Sequence, residues 1–193
     1  MQDYSSVWRD MQQFTAQRDG DSADEIWITE HPAVYTLGLN GKAEHLLQAS
    51  DIPLIATDRG GQITYHGPGQ LIVYWLADLR RLGWGPRQAV TCLESAMIET
   101  LAQYGIRAVS RADAPGVYVN GRKIGALGLR IKRGCCYHGL SLNNAMDLGP
   151  FQAINPCGHA GLQVTQLADW GVDVQLHELA VPIVHHLIKA SSA

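Results

Sequence analysis

Val7, Met11 and Phe14 recur at helical spacing with Trp8 beside them, which predicts an amphipathic helix over residues 3–17. The acidic stretch 19–25 reads as a loop and Ile26-Trp27-Ile28 as a first strand. His31-Pro32 interrupts it before Val34-Tyr35-Thr36-Leu37 resumes extended chain. A short strand near Ile55 follows, then strands over 62–65 and 70–76 on either side of His66-Gly67-Pro68-Gly69. The best-defined helix covers 86–104. Pro86 suits its first turn, Val90, Leu93, Met97, Leu101 and Tyr104 form one apolar stripe, and Gly105 ends it. Residues 116–119 and Lys123-Ile124 flank Asn120-Gly121, the signature of a type I′ hairpin. Strands continue over 127–131 and 137–142, and 174–189 reads as a helix that Pro182 kinks or splits.

Strands cluster in the middle of the chain, with helices flanking and between them and no regular strand–helix alternation. That predicts an α+β fold with a mixed or mainly antiparallel sheet and flanking helices, in one domain over residues 1–193. The longest apolar run, Leu71 to Ala77, is far short of the ~18–20 residues that span a bilayer. The opening Met-Gln-Asp-Tyr-Ser-Ser has no basic or apolar leader character. Both observations predict a cytoplasmic protein with no membrane partner.

Composition adds a local signal. Of the 20 glycines, four fall within the twelve residues Arg59-Gly60-Gly61-Gln62-Ile63-Thr64-Tyr65-His66-Gly67-Pro68-Gly69-Gln70. Glycine lets backbone approach a ligand, and consecutive N–H groups can cradle an anion. The spacing matches neither a phosphate loop nor a dinucleotide fingerprint. The competing reading is two tight turns bounding a hairpin, with His66 a hydrogen-bonded structural residue.

Cys135 and Cys136 are adjacent, which is poor geometry for a disulfide, and on a strand they point to opposite faces. With no C-x₂-C pair, the reading is reduced thiols and no metal. Cys92 lies one residue off the helix stripe and reads as packing. Cys157 sits in Asn155-Pro156-Cys157-Gly158-His159-Ala160-Gly161, where a loop thiol could be exposed and adjacent N–H groups could stabilise an oxyanion. Its thiolate would need a neighbouring cation or imidazole, with His159 the local candidate. The plain alternative is a small residue filling a loop corner.

The formal net charge of −3 hides an uneven distribution. Residues 1–30 hold seven acids against Arg9 and Arg18, whereas 114–146 hold no acid and five bases: Arg122, Lys123, Arg130, Lys132 and Arg133. Such a strip suits an acidic partner by electrostatic steering, and a solvated hairpin is the bland alternative. No aromatic interleaving or basic pI accompanies it, which argues against nucleic acid.

Four segments in order now carry a resemblance: residues 59–70, Arg111-Ala-Asp-Ala-Pro-Gly-Val-Tyr-Val119, Lys123-Ile-Gly-Ala-Leu-Gly-Leu-Arg130 and Asn155-Pro-Cys-Gly158. Together, from about Glu25 to Trp170, the chain resembles the lipoyl(octanoyl) transferase family. The resemblance implies a fold like the catalytic domain of biotin and lipoate ligases. It also implies transfer of an octanoyl or lipoyl group from acyl carrier protein to a lysine of lipoyl domains, in 2-oxoacid dehydrogenase subunits and glycine cleavage H protein. It further implies that no ATP or metal is needed. On this resemblance Cys157 forms an acyl thioester, and Lys123 lowers its pKa and serves in acid–base steps. Substrate would contact Arg59, Gly60, Gly61, Gln62, Ile63, Thr64, Tyr65 and His66, then Ala126, Leu127 and Gly128, then Gly139, Leu140 and Ser141. Backbone N–H groups of Leu127, Gly128 or Gly158 are candidate oxyanion donors, and Cys92, Cys135 and Cys136 are bystanders. Spacing alone does not select Lys123, since a lysine two residues past an Asn-Gly turn reads as surface. The rivals are an ATP-dependent ligase of the same fold, a non-catalytic acyl-carrier-binding module, and a redox or metal sensor.

Overall fold

The computed structural model describes residues 1–48, 50–155 and 161–192. Its helices are α1 (Tyr4–Gln17), α2 (Pro86–Gln103) and α3 (Leu176–Ser191). Its strands are β1 (Glu25–Thr29), β2 (Val34–Leu37), β3 (Leu54–Ala56), β4 (Ile63–His66), β5 (Gln70–Asp78), β6 (Val109–Ser110), β7 (Val117–Val119), β8 (Arg122–Lys132) and β9 (Cys135–Asn143). Local chemistry sets the ends. Asp3 Oδ1 accepts from the Ser6 N–H at 2.9 Å to start α1, and Gln88 Oε1 accepts from the Gly85 N–H at 2.7 Å ahead of Pro86 in α2. Pro182 lies inside α3, which continues through it unsplit. Asn120 and Gly121, with φ of 48° and 79°, supply the two left-handed residues of the β7–β8 turn.

The strands form two sheets. The larger has the order β1-β5-β9-β8-β7-β6, with every pair antiparallel. The smaller, β3-β2-β4, is mixed, with β2 parallel to β3 and antiparallel to β4. β4 and β5 therefore belong to different sheets, and the hairpin reading of residues 59–70 is corrected. The turn between them hands the chain from one sheet to the other. Gly69 takes φ +85° there, and a Cβ on it would come within 1.9 Å of Ala145 O.

One face of the large sheet is sealed by α2 and α3. Val73, Trp75, Leu140 and Leu142 pack there with Leu93 and Met97 of α2 and Leu179 and Ile183 of α3. On the other face, Ile72, Tyr74, Leu76 and Tyr137 lie under Val7 and Met11 of α1. β5 is thus buried on both sides, which is why its sequence is an unbroken apolar run. A third cluster, with Tyr35, Ile63, Tyr65 and Phe151, supports the small sheet.

Asp58, after β3, fastens α1 to the large sheet. Its carboxylate accepts from Trp8 Nε1 (2.8 Å), Gln12 Nε2 (3.0 Å), His138 Nε2 (2.9 Å) and the Tyr137 hydroxyl. Burial alone would raise the carboxyl's pKa, but the four donors outweigh it and hold the group well below the usual carboxylate range. Asp58→Ala is expected to cost roughly 2–4 kcal/mol by urea unfolding at pH 7. A depressed carboxyl stabilises the fold above its unfolded pKa of 3.8, so the gap between wild type and variant should shrink as pH falls below that value.

Candidate active site

The free face of the large sheet carries a furrow of small residues. Ala126 and Gly128 of β8 lie opposite Ser141 and Gly139 of β9, which in turn lie opposite Ile72 and Tyr74 of β5. Gly139 has no room for a side chain, since a Cβ would come within 2.1 Å of Val73 O. The loop before β4 forms a roof, with the Gly60 N–H donating to Leu129 O at 2.9 Å. Floor and roof flank an open groove, and Tyr4, Tyr74 and His138 also line it. A narrow annex shares Thr64, Ala126 and Ser141 with the groove and reaches Lys123, Gln70 and Asn143.

Three of the segments singled out in the sequence therefore converge. Arg59, Gly61, Gln62, Ile63, Thr64 and His66 meet Ala126, Leu127, Gly128, Gly139, Leu140 and Ser141 around one groove, with Lys123 in its annex. Gly60 borders instead a second, apolar groove with Val90, Leu129 and Ile131. Tyr65 lines neither the groove nor its annex, and its ring packs against those of Tyr35 and Phe151. Cys157 falls in 156–160, outside the described residues. Tyr4, Ile72, Tyr74, His138, Gln70 and Asn143 belong to the site without having been selected from the sequence. Ile72 and Tyr74 are camouflaged in a run that is apolar on both faces, and Tyr4 sits on a helix remote in sequence from the motifs.

Lys123 reaches the annex through an irregularity. Counting back from Ala126 by strand alternation puts it on the α2 side. However, Tyr118 pairs with Lys123 and Val117 with Gly125, so Ile124 is an extra residue on β8. Ile124 is fully buried against the α2 core, and a Cβ on Gly125 would come within 2.5 Å of Met97 Sδ on that same side. The bulge returns Lys123 to the groove face. Its Nζ donates to Pro115 O at 2.9 Å and lies 5.5 Å from the centre of the Tyr118 ring. Gly116, at φ +137°, makes room, for a Cβ there would stand 2.5 Å from Lys123 Cε. Lys123 is only 4% exposed, so, against the expectation that it joins the basic surface strip, it is not part of it. Lys132 and Arg133 are the exposed members, with Arg122 and Arg130 half-buried.

Behind the roof runs a buried polar chain. Arg59 donates to Thr36 O (2.6 Å), Gln62 O (2.7 Å), Gly60 O (2.9 Å) and Thr36 Oγ1 (2.8 Å). The Thr36 hydroxyl faces His66 Nε2 at 3.5 Å, and His66 Nδ1 lies 2.8 Å from Gln70 Oε1. Gln70 Nε2 donates to Asn143 Oδ1 (2.9 Å), and Asn143 Nδ2 to Thr165 O (2.9 Å). Since the Gln70 amide oxygen can only accept, the His66 proton is assigned to Nδ1. Burial drives the His66 pKa down to about 3, outweighing the Gln70 hydrogen bond, so the ring is neutral at pH 7. Burial likewise pushes the thiols of Cys92 and Cys136 up to about 11 and about 12, which suits packing residues. Among the described residues, no three His, Cys, Asp or Glu side chains gather as a metal site requires. Nor, among them, is any helix long and apolar enough to cross a membrane.

Residues 3–188 match the model of the lipoyl protein ligase A/B catalytic domain, and the chain belongs to that family. The match takes in α1, beyond the stretch from about Glu25 to Trp170 that carries the sequence resemblance. Within the family the chain is 57% identical to the octanoyltransferase of Methylococcus capsulatus, over 96% of this chain and 90% of that protein. The bipartite lipoate protein ligase of Thermoplasma acidophilum has a similar structure, with a TM-score of 0.75 at 16% identity over 96% of this chain and 77% of that one. The biotin protein ligase of Aquifex aeolicus, solved with biotin and ATP, gives 0.56 at 16% identity over 81% and 70%. The expected α+β architecture and its likeness to biotin and lipoate ligase domains both hold.

Two measurements check this geometry. His66 has a folded pKa below its unfolded value of 6.5, so its contribution to stability is complete above pH 6.5. It is then lost towards about pH 3, by at most ~1.4 kcal/mol per pH unit. His66→Gln should therefore show a shallower acid decline in urea titrations from pH 7 to 4. Gly116→Ala must displace Lys123 and adopt a positive φ, and should cost about 1–3 kcal/mol by the same method.

Proposed function

We propose that this enzyme moves an octanoyl group from acyl carrier protein to a lysine ε-amine through a thioester on Cys157. The acceptors would be lipoyl domains of 2-oxoacid dehydrogenase subunits and glycine cleavage H protein. Acyl transfer in protein lipoylation follows from the family and from the high identity to octanoyltransferases. The observation that carries the mechanism is a narrow, small-floored groove whose annex ends at a buried lysine. The groove suits an unbranched alkyl tail, whose burial is worth ~0.8 kcal/mol per methylene.

The Lys123 ammonium beside a thiolate favours the ionised sulfur. The Cys157 thiolate attacks the carrier-bound carbonyl carbon, the new C–S bond forms, and the carrier's thiolate leaves with a proton from the Lys123 ammonium, which becomes a neutral amine. One thioester replaces another at nearly equal energy, so the acyl-enzyme can accumulate. The acceptor ammonium loses one proton to water and, as its nitrogen attacks the same carbon, a second to the neutral Lys123 amine. An amide forms and the Cys157 thiolate is released. Support for Cys157 comes from the chain on either side of it. The Lys123 N–H donates to Gln163 O and the Thr165 N–H donates to Lys123 O, both at 2.9 Å, while Asn155 borders a cavity with Arg122 and Gln163.

Of the candidate oxyanion donors on β8, geometry favours Leu127. Leu129 O faces away from β9, towards Gly60, and residues two apart on a strand aim their backbone groups the same way. Leu127 thus presents its N–H along the outer edge of β8, beyond Gly125, where β7 stops pairing. The exposed Lys132 and Arg133 at the β8–β9 turn offer a docking surface for the acidic carrier.

The reaction as written consumes no ATP. Incubated with octanoyl-acyl carrier protein and no ATP, the protein should gain one octanoyl group by intact mass. Cys157→Ala should gain none, and Lys123→Ala should acylate at least ~100-fold more slowly. An adduct that persists in Cys157→Ala, or strict ATP dependence, would overturn the mechanism.

A further inference from the structure

Tyr137 and Gly139 belong to the groove face of β9, so alternation would send His138 to the α2 side with Cys136 and Leu140. Instead His138 takes φ +64°, where pairing with β5 is interrupted between Tyr74↔Gly139 and Ala77↔Cys136. Its ring stacks on that of Tyr137 at 5.0 Å and lines the groove. A non-glycine residue at such a φ is uncommon, and backbone departures of this kind collect at functional sites.

The ring is 1% exposed. Its Nε2–H donates to the Asp58 carboxylate, whereas Nδ1 is buried with no hydrogen-bond partner among the described residues. Following β9 from Ser141 to Gly139 covers ~7 Å away from the Lys123 annex, and His138 stands one residue further on. Tyr4 lines the same groove from α1. It is 2% exposed, with its ring stacked on His66 at 5.8 Å and 10°.

We propose that Tyr4 and His138 form the stop that sets the length of the acyl chain this enzyme accepts. Tyr4 is a steric wall. His138 Nδ1 is an acceptor already buried without a donor among the described residues, and a longer apolar tail would leave it unsatisfied. A hydroxyl at the chain end would supply that donor, so the stop discriminates by polarity as well as length. The inference rests on the octanoyl-transfer reading.

The test is competition among hexanoyl-, octanoyl-, decanoyl- and dodecanoyl-acyl carrier protein for transfer to a lipoyl domain, read by mass. Wild type is compared with Tyr4→Ala and with His138→Asn, since asparagine tolerates a left-handed φ. Product ratios within one sample do not depend on the folded fraction. Both variants should raise the decanoyl-to-octanoyl ratio about tenfold over wild type. In wild type alone, 8-hydroxyoctanoyl should be transferred several-fold faster than nonanoyl, which has the same shape without the donor. Unchanged ratios in both variants, or nonanoyl matching 8-hydroxyoctanoyl, would overturn the proposal while octanoyl transfer persists. Failure of wild type to transfer octanoyl at all would instead overturn the functional reading on which it rests.

Discussion

Side chains along a strand alternate between two faces, and α2 and α3 occupy one face of the large sheet. Everything the site needs must therefore reach the other. Most of the floor obeys the alternation, with Ala126 and Gly128 of β8 in step with Ser141 and Gly139 of β9. Two residues break it, Lys123 by a bulge and His138 by a left-handed φ. Both thereby land on the groove face. Departures of this kind carry a local energetic cost, and their coincidence with the two charged or polar side chains nearest the groove ends fits a functional purpose.

The roof depends on a different physical device. Arg59 binds the carbonyls of its own loop and of β2, and Thr36, His66, Gln70 and Asn143 extend the contact to Thr165 beside Lys123. A buried polar chain of this kind is stabilising only when its members are mutually satisfied, so it locks the small sheet, the large sheet and residues 163–165 into one arrangement. The glycines around it act as clearances. Gly128 and Gly139 let the backbones of Gly60 and Val73 approach the floor, and Gly116 leaves space for Lys123.

Much of the secondary structure was legible because its signals are local. The α1 and α2 stripes, the Asn120-Gly121 turn and the run of β5 each reside in a short stretch of sequence, and the structure places elements on all of them. The motifs also identified most of the groove lining. What escaped was non-local. Residues 59–70 looked able to form a hairpin because nothing within them reveals that β4 and β5 join different sheets. Lys123 looked like surface because its burial depends on Gly116, Pro115 and Tyr118, which arrive by strand pairing.

By itself, the sequence determined the element types, the α+β class and the family, since apolar periodicity, turn chemistry and motif order are all written along the chain. The tertiary structure alone decided which face each residue occupies. A one-residue bulge or a single positive φ reverses that assignment without disturbing the apolar pattern around it, because Ile124 and Leu140 look the same in sequence whichever way their neighbours turn. It also decided that Tyr4, the first residue of α1, lines a groove built from residues more than fifty positions away.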